Sequence, residues 1–147
     1  DVYKRQVLDN GTMATIVKEE HLDKVFIGGH SLGGVVSTVE AKHLEEINKV
    51  AGLILLASYP DKSTDISGTQ IPVLSITASN DKILNQDKYE EAKSRLPEDT
   101  IYTTIEGGNH SGFGLYGQQN GDGTATMTAE EQQKQLVQLI KQFIVSH

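Results

Sequence analysis

Apolar residues fall along this chain in two rhythms. Short unbroken runs, VFIGG at 25–29, GLILLAS at 52–58 and PVLSITA at 72–78, predict strands buried on both faces. Pro72 opens the third run, where its missing N–H does least harm to a ladder. TIYTTIE at 100–106 alternates and is rich in β-branched residues, which predicts a fourth strand. Between these runs the spacing is helical. Met13, Ile16 and Val17 predict a short helix over 10–21. Val35, Val36, Val39, His43, Leu44 and Ile47 place one stripe on a helix from Gly34 to Ile47. A third helix is expected over 87–96, with Asp87 as its N-cap and Glu90 three residues on. Thr128-Ala-Glu-Glu131 reads as a capping box for a closing helix, whose stripe is Leu136, Leu139, Ile140, Phe143 and Ile144.

Strands alternating with helices predict an α/β fold, a parallel sheet of about four strands flanked by helices. Functional sites in such sheets gather at the carboxyl ends of the strands. The long loop 107–127 leaves one of those ends, and it holds seven of the 14 glycines, as a shaped excursion would.

Composition removes several classes of function. With 147 residues there is room for one domain, and 37% hydrophobic with 22% charged residues is ordinary globular usage. No apolar run approaches the ~20 residues that span a bilayer. The net charge of −7 and the lack of a basic cluster argue against nucleic acid or an anionic membrane as partner. Without cysteine there is no disulfide, thiolate metal ligand or thiol nucleophile. That absence fits either redox environment, so it leaves the compartment undecided.

The first strand runs straight into Gly28-Gly29-His30-Ser31-Leu32-Gly33-Gly34 and then into a helical pattern. Gly29-x-Ser31-x-Gly33 matches a nucleophile elbow, a sharp strand-to-helix turn that projects a serine hydroxyl clear of the sheet. The tightness of such a turn leads us to expect that positions 29 and 33 admit no side chain. The helix behind it aims free N–H groups at developing negative charge, which makes the Leu32 N–H a candidate oxyanion donor. Phosphate-cradling alternatives lack their further glycines and lysine.

A serine needs an imidazole to take its proton, and the imidazole needs a carboxylate to orient it. His43 lies within a helix and His147 is the last residue, so His110, leaving the fourth strand, is the base by position. His30 is expected to pack beneath the elbow. Asp81 follows the third strand through Ser79-Asn80 and is favoured as the acid over Asp61, which follows the second strand. Asp65 is further out, and Asp87, Glu90 and Glu91 read as solvated helix charge. Asn120-Gly121-Asp122-Gly123 lacks the spaced carboxylates of a calcium loop and reads as a turn.

With these motifs in this order, residues 12–147 resemble the carboxyl-terminal part of the three-layer α/β-hydrolase fold. The stretches His110-Ser111-Gly112-Phe113-Gly114 and Gly121-Asp122-Gly123 are similar to the bacterial fold-5 group. The resemblance implies a serine hydrolase acting on a small-molecule ester or acyl substrate, with no metal and no organic cofactor. Ser31 would be the nucleophile, His110 the base and Asp81 its orienting acid. Thioester or peptide cleavage on the same residues is the rival chemistry, and a non-catalytic binding domain is the rival class.

Residues 1–6, DVYKRQ, resemble a translated transposon end used in preparing sequencing libraries. On that reading 1–6 is a disordered tag, 7–147 is a partial domain, and the net charge without Asp1, Lys4 and Arg5 becomes −8. Only 7–30 would then precede Ser31, leaving no place for the upstream loop that supplies the second oxyanion donor. Loss of one such donor costs about 10²–10³ in kcat. The chain alone is therefore expected to be weakly active or inactive and poorly soluble, with the first strand as an aggregation-prone edge.

Overall fold

The apolar runs lie side by side in one parallel sheet, in the order β1 (Val25–His30), β2 (Val50–Leu56), β3 (Val73–Ala78) and β4 (Ile101–Ile105). The structure, a computed structural model, describes residues 12–115 and 117–147. The hexapeptide expected to be a tag lies outside the described residues. The intervening helices are α1 (Thr12–Glu19), α2 (Leu32–Glu46), α3 (Gln86–Ala92) and α4 (Ala129–Ser146). Single 3-10 turns occupy Lys93–Arg95 and Ser111–Phe113.

The central strands are buried on both faces because successive side chains point to opposite sides. Leu53, Leu55 and Val73 join a core with Val17 of α1 and Ala41 and Leu44 of α2. Ile54, Leu74 and Ile76 join the opposite core with Leu136 and Phe143 of α4. Helices on both faces of a parallel sheet make three layers. The ordered crossovers bring every strand's carboxyl end to one rim, where the turns after β1, β3 and β4 meet.

Three local expectations are corrected. The buried face of α2 is Gly34, Ser37, Thr38, Glu40, Ala41 and Leu44, while Val35, Val36, Val39 and Ile47 are only half-buried. Small residues let the helix press on the sheet, and their hydroxyls are satisfied within it: Ser37 Oγ donates to the Gly33 carbonyl and Thr38 Oγ1 to that of Gly34, both at 2.8 Å. The N-cap of α3 is Asn85, whose Oδ1 accepts from the Lys88 N–H at 3.0 Å, and Asp87 sits in the first turn instead. Ile144 of the α4 stripe is exposed. Val17 is fully buried as expected, whereas the side chains of Met13 and Ile16 lie outside the described residues. The capping box at Thr128 and Glu131 forms with both of its bonds, at 3.0 and 3.1 Å.

Candidate active site

The elbow is built by close approach of backbone. Ser31, at the N-cap of α2, has φ 54° and ψ −122°, a conformation that a side-chain-bearing residue holds only when its surroundings impose it. They do so through three bonds. The Ser31 N–H donates to the Leu56 carbonyl at 3.0 Å, and its own carbonyl accepts from the Gly34 N–H at 3.0 Å and from Ser58 Oγ at 2.6 Å. A side chain at Gly29 would collide with the Gly33 backbone, and one at Gly34 with Ser58. Nothing lies within 4 Å of where a side chain at Gly33 would begin. The expectation for position 33 is corrected: the steric demand falls on 29 and 34. Leu32 is the first residue of α2, so its N–H has no acceptor inside the helix.

Across the rim, Asp81 and His110 are brought together. Asp81 Oδ2 lies 2.7 Å from His110 Nδ1, and their side chains are 0% and 3% exposed. The other carboxylate oxygen accepts the N–H groups of Ile83 at 2.8 Å and Leu84 at 2.9 Å. A carboxylate so engaged is an acceptor, an arrangement that favours the Nδ1–H tautomer of His110 and leaves Nε2 free of Asp81. Asp61 does not compete. It is exposed, and its Oδ1 accepts the Ser63 N–H at 2.8 Å, which holds its carboxyl below the usual range.

The other candidates sit elsewhere. His43 is 4.0 Å from Glu40 Oε1 on α2, and His147 Nδ1 lies 2.9 Å from the Phe143 carbonyl. Asp65 accepts from Ser67, Glu90 pairs with Lys93, and Glu91 lies near Lys62 and Arg95. His30, expected beneath the elbow, sets its ring against His110, with centroids 4.5 Å apart, and against Phe113 at 5.6 Å. Burial, and then the repulsion that a protonated His110 would add, pushes the His30 imidazole down to about 4, so it is neutral at pH 7. Because His30 adjoins Ser31 in sequence, this tilted ring contact ties the elbow to the imidazole.

Two residues that sequence reasoning missed hold the histidine turn. Gln132 of α4, fully buried, accepts the Asn109 N–H at 3.1 Å and donates to the Asn109 carbonyl at 2.8 Å. It fills space left by Gly108 and Gly112, where any side chain would strike it. Asp122, read as part of a turn, accepts from Ser111 at 2.8 Å through both the N–H and the hydroxyl. Burial opposes its charge, but the bonds from Ser111, Lys82 and Gly123 hold its carboxyl below the usual range. The only prior signal was the clustering of polar and glycine residues in the loop.

Among the described residues, no helix is long and apolar enough to cross a membrane. A family profile described as "Alpha/beta hydrolase family" matches residues 5–134. No curated protein matches the chain in sequence. Among solved structures, a predicted CIB-like hydrolase from Thermoplasma acidophilum superposes with a TM-score of 0.64 at 18% identity, over 95% of this chain and 60% of its own. A thermophilic esterase from Thermogutta terrifontis gives 0.63 at 15%, over 91% and 70%. An alpha/beta hydrolase enzyme from lagoon sediments of Mar Chica, Morocco, gives 0.62 at 17%, over 89% and 67%. The chain thus spans 60% to 70% of the length of these three structures, and the likeness at such identities is one of fold.

Proposed function

This chain belongs to the alpha/beta hydrolase family, and from that premise we propose that its protein cleaves a carboxylic ester by serine attack and an acyl-enzyme intermediate. The observation that carries the reading is the buried Asp81–His110 pair, at 2.7 Å, on the same sheet rim as a strained elbow serine. In the proposed first step, Ser31 Oγ bonds to the ester carbonyl carbon while His110 Nε2 takes the hydroxyl proton. Charge on the carbonyl oxygen is met by the Leu32 N–H and the amino end of α2. His110 returns the proton to the departing alcohol, leaving Ser31 acylated. A water, deprotonated by the same nitrogen, then releases the acid. Asp81 fixes the tautomer throughout and stabilises the imidazolium.

The esterase named among the solved structures supports an ester as the substrate, in preference to a thioester or peptide. Since the chain spans only part of those structures, the activity is proposed for the whole protein, with the second oxyanion donor upstream of Ser31. The test is turnover of p-nitrophenyl esters against matched thioesters and anilides. Ser31→Ala and His110→Ala are expected to lower kcat by on the order of 10⁶. Asp81→Asn, which leaves the tautomer unfixed, is expected to cost about 10⁴. Ester turnover that survives Ser31→Ala, or faster cleavage of the thioester or anilide, contradicts the reading.

A further inference from the structure

Segment 122–124 is wedged between the acid turn and the histidine turn, which are far apart in sequence. A side chain at Gly123 would strike the Asn80 carbonyl, so the loop lies flush against the residue before Asp81. Asn80 Nδ2 donates to the Thr124 carbonyl at 3.0 Å, and Asn109 Nδ2 to the Gly123 carbonyl at 2.9 Å. The Asp122 carboxylate spans the gap between the two turns. Its Oδ1 accepts the Lys82 N–H at 3.3 Å from one side and the His110 N–H at 3.3 Å from the other. Its Oδ2 takes both donors of Ser111 at 2.8 Å. One side chain therefore grips the residue after Asp81, His110 itself and the residue after His110.

We propose that Asp122 is a positioning residue that fixes His110 against Asp81 by clamping the backbone of both turns with a single carboxylate. It touches no substrate and acts through the imidazole, so the inference rests on the catalytic role given to His110 above. A plain loop-closing turn would need no carboxylate with both oxygens engaged across two strand ends. Only an acceptor on each oxygen satisfies this set of donors. In Asp122→Asn, whichever way the amide turns, its NH₂ faces N–H or O–H groups on one side of the clamp. A displacement of about 1 Å at a reacting group costs on the order of 10²-fold in rate.

The test uses the whole protein, with the residues that supply the second oxyanion donor, and two readouts. In Asp122→Asn, kcat for a p-nitrophenyl ester should fall ten- to a hundredfold with KM unchanged, because the loss lies in alignment. Independently of turnover, proton NMR should show a low-field His110 Nδ1–H signal in the unaltered protein, broadened or lost in the variant. Should Asp122→Asn fail to fold, Ser111→Ala removes one bond to the carboxylate, together with the bond from the Gln119 N–H, and keeps the carboxylate itself, and kcat should fall several-fold with KM kept. A protein that shows the low-field signal, and its loss on Asp122→Asn, but hydrolyses no ester supports the clamp and sinks the esterase reading. An unchanged signal with kcat within twofold of the unaltered protein, in Asp122→Asn or in a folded Ser111→Ala, overturns the clamp.

Discussion

Gly29, Gly33 and Gly34 look interchangeable in GGHSLGG, and space separates them. At 29 and 34 the backbone and Ser58 stand where a side chain would go, whereas 33 opens to free space early in α2. Gly33→Ala should therefore stabilise the chain by about 0.5–1 kcal/mol, since alanine is the better helix residue. Gly29→Ala should prevent the elbow from forming. Thermal unfolding followed by circular dichroism distinguishes them, and equal losses from both substitutions would contradict the packing described. Which glycine is pinned depends on the distance to a neighbour, and a sequence does not state distances. Ser31, Asp81 and His110 were legible because each follows an apolar run, so strand order alone delivers them to one rim. Asp122 was not, since its partners at Lys82 and Ser111 lie 40 and 11 positions away.

At the scale of elements, strands were easier to read than helix faces. Doubly buried strands are continuous apolar runs, and the pattern needs no partner to be seen. The buried face of α2 contradicts its apparent stripe because Ser37 and Thr38 are small and bond their own backbone, so burial costs them little. Helix α4 likewise reads as an amphipathic closing helix, yet Gln132 on it supports the site. Gln132→Leu keeps similar bulk but leaves the buried N–H and carbonyl of Asn109 without their partner. Each such orphan costs about 1–3 kcal/mol, so a loss of roughly 2–4 kcal/mol is expected in urea titration. A loss under about 0.5 kcal/mol, the range of an ordinary surface change, would mean α4 merely covers the sheet.

For the whole molecule, the buried imidazole of His30 makes stability depend on pH. Its ordinary value of 6.5 holds in the unfolded chain and falls to about 4 in the folded one, where His110, Asp81 and Asp122 face it. Between those values the unfolded chain binds the extra proton. This contribution is complete above 6.5 and is lost as the pH falls towards 4. Asp122 adds a separate loss at lower pH, below its ordinary 3.8, because its carboxyl is also held down. The urea midpoint should drop across the first window, and His30→Gln should flatten that drop; superimposable profiles would contradict the burial assigned to His30. Whether the elbow serine is the nucleophile served by His110 is read out by a fluorophosphonate probe, with the adduct located by mass spectrometry. One adduct is expected, on Ser31, and it disappears in His110→Ala. A folded, ester-hydrolysing protein labelled at another residue, or labelled at Ser31 equally well without the imidazole, would contradict it.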